Sequence, residues 1–179
     1  WIVAVGVESG NQKIIDMLDK GTTKERMKAT CEGVLAAGLK LKTFFVLGNP
    51  GDTPETIDET IAFAKSLKGH FPVFSLMTPY PGAPLYQNAE EFGTFDRSGF
   101  DKLKIATDDP VFVPYGLTKD LLIKKQKQAF RNLYFNPSMV YRQFVGIGSF
   151  DDAVKLTKAF KAFMTAQFNF MNIQAKSSS

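Results

Sequence analysis

A buried strand, a glycine-rich turn and a helix follow one another in the first half of the chain, and this unit constrains the fold most. The apolar residues 44–47 (Phe-Phe-Val-Leu) end abruptly at Gly48-Asn49-Pro50-Gly51. Thr53 then offers a hydroxyl that caps a helix, and Pro54 suits the first helical position. In parallel α/β proteins ligands bind at the loops that follow the strands, so this turn is the first candidate site.

Apolar runs at residues 2–7, 39–47 and 71–77 predict three strands. The first run leads into Glu8 and Ser9, and helical patterns separate the strands. Strands that alternate with helices predict parallel pairing through right-handed crossovers. Three strands are too few to close a barrel, so we expect an α/β fold that is part of a barrel or a small open sheet.

Helical spacing of apolar residues covers most of the rest of the chain. A capping box of Thr22 and Glu25 is predicted to begin the helix that ends at Gly38. Residues 93–117 show no clear period and are predicted to be mostly irregular, with a short strand at residues 111–113. The other predicted helices are residues 11–18, 54–68, 85–92, 119–135, 136–145 and one that begins at a cap on Ser149.

These patterns divide the chain into four predicted segments. They are a region of alternating strands and helices in residues 1–90, an irregular connection in 91–117, a helical extension in 118–174 and a disordered tail in 175–179. The chain opens on Trp1 and enters a strand at once, which we interpret as a fragment of a longer protein. A strand exposed in this way predicts self-association through its edge.

The composition excludes several classes of protein. With 44% hydrophobic residues among 179, the chain can bury a core, and a net charge of +4 gives no reason to expect nucleic acid. No apolar run approaches the ~20 residues that span a bilayer. One cysteine excludes a disulfide framework, so a reducing cytoplasm is the expected location.

Polar residues at the strand ends are the candidates for binding, and each has a structural alternative. Glu8 and Ser9 lie at the end of a core strand. A charge there is unfavourable unless it is exposed or paired, so Glu8 either contacts a ligand or pairs with a lysine from a neighbouring helix. The turn at residues 48–51 either contacts a ligand through its backbone or is a tight strand-to-helix turn with no ligand role. Tyr80 stacks on a flat ring or packs within its own loop.

The remaining reactive side chains predict no metal or nucleophile. Cys31 lies on the apolar face of a helix and is expected in the core. His70, the single histidine, makes no metal site by itself. The catalytic residues are therefore not identified from this sequence.

Five short motifs, taken in order, resemble the C-terminal half of a radical S-adenosylmethionine (SAM) enzyme core. The similarity covers residues 1 to about 90 and is greatest to members with an N-terminal cobalamin-binding domain, the group of the anaerobic magnesium-protoporphyrin monomethyl ester cyclase. The motifs are Gly6-Val7-Glu8-Ser9-Gly10, Lys20-Gly21-Thr22-Thr23, residues 45–53 (Phe-Val-Leu-Gly-Asn-Pro-Gly-Asp-Thr), residues 60–64 (Thr-Ile-Ala-Phe-Ala) and residues 78–86 (Thr-Pro-Tyr-Pro-Gly-Ala-Pro-Leu-Tyr).

The resemblance implies the last three strands of a partial (β/α)₆ barrel that binds SAM across its strand ends. By that match Glu8 and Ser9 hold the ribose hydroxyls or the methionine amino group. The backbone of residues 48–51 (Gly48, Asn49, Pro50 and Gly51) lines the methionine and adenine side. Met77 and Tyr80 flank the adenine.

In the family a [4Fe–4S] cluster reductively cleaves SAM to start radical chemistry on a small-molecule substrate. The resemblance therefore implies an external electron donor such as flavodoxin or ferredoxin, and the subgroup adds cobalamin in an upstream domain. The three cluster cysteines of the family are missing from this sequence, so any cluster ligands are expected upstream and the isolated fragment is expected to be inactive.

Two other hypotheses remain open beside the radical SAM fragment. One is a non-catalytic binding or interaction module that keeps the fold without the cluster. The other is half of a hydrolase or aldolase barrel with phosphate at residues 48–51, which the lack of a lysine or metal-ligand set at the strand ends disfavours.

Overall fold

A three-stranded parallel sheet organises the part of the chain that the computed structural model describes, residues 1–98 and 110–136. The strands β1 (Ile2–Glu8), β2 (Lys40–Leu47) and β3 (Phe71–Leu76) lie in the order β1-β2-β3. Both pairings are parallel. The predicted α/β class with three parallel strands is therefore confirmed.

Three helices connect the strands: α1 (Gln12–Met17) and α2 (Lys24–Ala36) after β1, and α3 (Pro54–Ser66) after β2. The start of α3 is as predicted, because the Thr53 hydroxyl accepts a hydrogen bond from the Thr56 amide at 3.3 Å. Thr56 returns the bond by accepting from the Thr53 amide at 2.9 Å, which completes a capping box.

The predicted capping box of Thr22 and Glu25 at the start of α2 is wrong. Thr23 is the cap, and its hydroxyl accepts from the Arg26 amide at 3.2 Å. The cause lies outside the helix: the Gln12 side chain accepts from the Lys24 amide at 2.8 Å, which fixes where the helical turn begins.

A two-stranded antiparallel sheet follows the main one. It pairs β4 (Gly93–Phe95) with β5 (Phe112–Pro114), after helix α4 (Pro84–Asn88) and a single 3₁₀ turn (Ala89–Glu91). The short strand expected at residues 111–113 is present one residue later, whereas β4 was predicted irregular. Residue 93 at the start of β4 must be glycine because a Cβ there would collide with the carbonyl oxygen of Val113. Glycine has a low preference for strands, so the sequence does not predict β4.

Helix α5 (Lys119–Tyr134) covers the outer edge of β3. Its Gln126 amide donates to the carbonyl of Phe74 at 2.9 Å, and its Tyr134 hydroxyl donates to the carbonyl of Pro72 at 2.9 Å. Pro72 has no N–H to offer a further strand. The predicted helix at residues 119–135 is confirmed, whereas those at 136–145 and beyond Ser149, and the tail at 175–179, lie outside the described residues.

The two faces of the main sheet differ in burial. Along β2, Leu41, Thr43, Phe45 and Leu47 are buried, and the residues between them are half-buried. Phe45 stacks on Phe74 with ring centroids 5.1 Å apart, so the buried face forms one apolar layer beneath the helices. None of the described helices is long and apolar enough to span a membrane.

Candidate functional site

The carboxyl ends of the three parallel strands meet at one edge of the sheet, and the loops that follow them form the candidate site. The amide of Met77, just after β3, donates to the Leu47 carbonyl at the end of β2 at 2.9 Å. All the predicted site residues lie along this edge: Glu8, Ser9, Gly48, Asn49, Pro50, Gly51, Met77 and Tyr80.

Glu8 ends β1 in a strained backbone conformation. A bulge interrupts the pairing between Gly6 and Glu8, and Glu8 has a φ of 66°, which costs a residue with a side chain about 1–3 kcal/mol. The bulge turns the carboxylate back over Gly6, where a Cβ would lie 2.8 Å from Glu8 Oε1. Gly6 therefore leaves the space that the Glu8 carboxylate occupies.

Lys20, in the loop after α1, forms an ion pair with Glu8. The distance between Lys20 Nζ and Glu8 Oε1 is 2.9 Å, and the side chains remain 38% and 21% exposed. The sequence left open a lysine from a neighbouring helix as the partner of Glu8; the partner is a lysine, but it lies in the loop after α1. Nothing local in the sequence identifies Lys20 as that partner, since the two residues meet only once the loop folds back along the strand end.

Ser9 is fully buried and fastens the loop after β1 to helix α3. Its hydroxyl lies 3.1 Å from that of Thr60 and accepts from the Asn11 amide at 3.1 Å. The Thr60 hydroxyl also accepts from the Gly10 amide at 2.9 Å. Asn11 adds a bond from its side-chain amide to Glu59 at 2.7 Å, so the loop is held at several points.

Asp52 organises the turn at residues 48–51 from inside. Its carboxylate accepts from the backbone amides of Gly48 at 3.0 Å and Asn49 at 2.8 Å, and from the Thr56 hydroxyl at 2.7 Å. Burial raises the pKa of this carboxyl above its usual range, and the hydrogen bonds from Thr56, Asn49 and Gly48 restrain the rise.

The side chain of Asn49 is buried in the same turn. Its amide nitrogen donates to the Val46 carbonyl at 2.8 Å and lies 3.3 Å from Asp52 Oδ2. Exchanging the amide oxygen and nitrogen would place two acceptors against each other at both contacts, so this orientation is fixed. Within the described part of the chain, Asn49 Oδ1 has no hydrogen-bond partner.

Side chains from two helices pack against the two glycines of this turn, which both have positive φ values of 80° at Gly48 and 76° at Gly51. A Cβ on Gly51 would lie 2.9 Å from the Met17 sulfur of α1. A Cβ on Gly48 would lie 3.1 Å from a Leu122 methyl of α5. The turn therefore needs glycine for both its backbone conformation and its close packing.

The predicted site residues differ in how far a ligand can reach them. Ser9, Gly48, Asn49 and Pro50 are buried, whereas Gly51 is exposed and Met77 is half-buried. Tyr80 is 44% exposed at the start of its loop. The surface of this edge is thus formed by the Glu8–Lys20 pair, Gly51 and Tyr80, and the buried residues support it.

The sequence is similar to several curated enzymes. An uncharacterized methyltransferase of Pyrococcus horikoshii is 28% identical over 140 residues, which cover 78% of this chain and 30% of that protein. The bacteriochlorophyllide d C-8(2)-methyltransferase of Chlorobaculum tepidum is 27% identical over 169 residues, 89% of this chain and 38% of that protein. The anaerobic magnesium-protoporphyrin IX monomethyl ester cyclase of Rubrivivax gelatinosus is 25% identical over 143 residues, 79% of this chain and 25% of that protein.

The predicted resemblance to the radical SAM superfamily is confirmed. The level of identity supports the superfamily and nothing narrower. No protein-family model matches the chain. The chain spans 25% to 38% of the length of the three relatives, so the activity, substrate and partners of a whole radical SAM protein are matters for proposal.

The residues of this chain do not fit the [4Fe–4S] cluster that the radical SAM resemblance implies. Such a cluster needs several thiolates, and the sequence has one cysteine. Cys31 is fully buried in the core, and burial raises the pKa of its thiol. His70 Nδ1 accepts from the Leu41 amide at 3.2 Å. Among residues 1–98 and 110–136, no three His, Cys, Asp or Glu side chains are placed to share a metal ion.

Proposed function

We propose that this chain forms the SAM-binding part of a radical SAM enzyme, with the ligand across the carboxyl edge of the sheet. The observation that carries the proposal is the Glu8–Lys20 ion pair, which lies at the end of β1, the strand next to the one that leads into the glycine turn. The methionine part of SAM carries an ammonium and a carboxylate on one carbon. A partly exposed pair of opposite charges complements both groups.

In this arrangement Glu8 accepts hydrogen bonds from the amino group of SAM and Lys20 donates to its carboxylate. The ribose hydroxyls are the alternative partners of Glu8. Ser9 is fully buried, so its part is to hold the loop through Thr60 and to keep Glu8 in place. The strain at Glu8 supports this role, because strained backbone is kept where the surrounding structure holds a functional group.

The turn at residues 48–51 and the loop after β3 form the remaining walls of the proposed site. Gly51 is exposed at the end of the turn, so its backbone is within reach of a ligand. Tyr80 offers an exposed aromatic ring that can stack on the adenine, with Met77 beside it. Gly48, Asn49 and Pro50 shape the turn from within.

The proposed enzyme uses groups that this chain does not supply. A [4Fe–4S] cluster held by cysteines outside this chain would supply the electron that cleaves SAM. We place the enzyme in a reducing cytoplasm with a small-molecule substrate, a flavodoxin or ferredoxin as electron donor and cobalamin as a further cofactor. The partial (β/α)₆ barrel belongs to the same proposal and is supported by the second face of the parallel sheet, whose residues are exposed or half-buried.

Titration calorimetry of SAM into the intact protein tests the site. We expect Glu8→Gln and Lys20→Gln each to weaken binding by about 10- to 150-fold, since a hydrogen bond to a charged group contributes roughly 1.5–3 kcal/mol. Decarboxylated SAM lacks the group assigned to Lys20, so Lys20→Gln should leave its affinity unchanged. Glu32→Gln and Lys28→Gln, which alter an exposed ion pair on α2, are the matched controls.

SAM cleavage decides between the enzyme and a non-catalytic binding module. The intact protein, reconstituted anaerobically with iron and sulfide and then reduced, should release 5′-deoxyadenosine. Binding of SAM without cleavage would favour the module. Wild-type affinity in both the Glu8 and Lys20 variants would contradict the proposed site.

A further inference from the structure

Leu122 of helix α5 packs directly against the turn that follows β2. The side chain is fully buried, and its two methyl carbons lie 3.1 and 3.3 Å from where a Cβ on Gly48 would be. Gly48 also has a positive φ of 80°. The space that a side chain on Gly48 would need is therefore filled from outside the turn, by a residue 74 positions later in the sequence (122 − 48 = 74).

Helix α5 is itself fixed to the elements that carry the site. Lys125 Nζ lies 2.6 Å from Asp58 Oδ1 on α3, and the Lys125 side chain is only 12% exposed. Gln126 of the next position donates to the Phe74 carbonyl of β3. Both contacts lie about one helical turn after Leu122, so its position is set relative to both α3 and β3.

We propose that Leu122 is a positioning residue for the SAM site, an inference that rests on the function proposed above. It acts through the backbone of Gly48 and Asn49, whose amides both donate to the Asp52 carboxylate inside the turn. Removing the Leu122 methyl groups opens space on the outer side of Gly48. The turn then relaxes into that space and moves Gly51, the exposed end of the turn, away from the ligand.

The test compares three variants of the intact protein. Leu122→Ala removes the packing, and Leu122→Met restores most of the volume in a flexible form. Leu133→Ala is the matched control, since Leu133 is a buried leucine of the same helix. It lies three helical turns beyond Leu122, roughly 16 Å along the axis. Chemical denaturation first establishes that the two alanine variants lose comparable stability.

Two measurements then separate a positioning role from a structural one. In Leu122→Ala the amide hydrogens of Gly48 and Asn49 should exchange about tenfold faster than in the wild type. The same variant should bind SAM about tenfold more weakly, because small displacements of positioning groups lower affinity by this factor or more. Leu122→Met should have exchange rates and a SAM affinity close to those of the wild type. Leu133→Ala should change the exchange rates and the SAM affinity by no more than about twofold, although it also lowers the stability of the protein.

The inference is overturned if Leu122→Ala and Leu133→Ala behave alike in exchange and in affinity. It is also overturned if Leu122→Ala binds SAM as the wild type does. A wild-type protein that binds no SAM would instead refute the proposed function, and the exchange rates would still show whether Leu122 holds the turn.

Discussion

Replacement of Asp52 with alanine should damage the candidate site from within, and the size of the loss follows from the hydrogen bonds. The carboxylate is 3% exposed and accepts from the amides of Gly48 and Asn49. Each buried donor left without an acceptor costs about 1–3 kcal/mol. The Thr56 hydroxyl keeps a second acceptor in the Thr53 carbonyl at 3.1 Å, so it adds little. Relief of the carboxylate's own burial offsets part of the cost, which leaves a net loss of about 3 kcal/mol.

Urea denaturation followed by circular dichroism measures this loss of unfolding free energy. Asp52→Asn is the matched variant, because its amide oxygen can still accept from the two backbone amides, and we expect it to lose only about 1 kcal/mol. An Asp52→Ala variant within about 1 kcal/mol of the wild type would show that these hydrogen bonds do not organise the turn.

The same residue predicts a pH dependence. Burial raises the pKa of Asp52 in the folded state above its ordinary value of 3.8, so the folded protein keeps this proton longer than the unfolded chain does. The stability that Asp52 contributes is therefore full below that ordinary value and declines as the pH rises through the folded pKa. The free-energy difference between the wild type and Asp52→Asn should shrink over this range, and a growing difference would refute the sign.

Three further predictions concern other parts of the chain. Gly10→Ala should cost about 2 kcal/mol in urea denaturation because its Cβ would lie 2.7 Å from the Thr60 Cα, whereas Gly33→Ala, with open space around it, should not destabilise helix α2. Cys31, fully buried, should react with Ellman's reagent only after unfolding, and rapid reaction in the native state would contradict its placement. Ile2, 57% exposed on the edge strand, should drive self-association of the 179-residue chain, so Ile2→Lys should lower the mass measured by light scattering; an unchanged mass would refute this.

Elements with a local signal could be predicted from the sequence. Thr53, Pro54 and Thr118 act on backbone groups three residues away or fewer, and the helices that they begin are found where expected. The three main strands were visible because each is an apolar run that ends in turn residues. Strand β4 was missed because three residues opened by Gly93 are too few to show an alternation.

The contacts that build the candidate site could not be predicted, because they join residues far apart in sequence. Thr60 of α3 hydrogen-bonds to Ser9 and Gly10 of the loop after β1, which are 51 and 50 positions away. Leu122 reaches Gly48 over an even longer separation. Lys20 was recognised as part of a motif, but its pairing with Glu8 depends on a backbone bulge that has no sequence signal of its own. The cap at Thr23 was misassigned for a similar reason, since Gln12 sets it from the preceding helix.

The most direct test of the proposed SAM site is hydrogen–deuterium exchange of the intact protein with and without SAM. SAM bound at the carboxyl edge should slow exchange in peptides that cover residues 8–11, 48–53 and 77–81, the three loops at that edge. Exchange in α2 and in β4 and β5 should not change. Protection confined to elements away from that edge, or no protection at a SAM concentration that saturates binding, would contradict the proposed site.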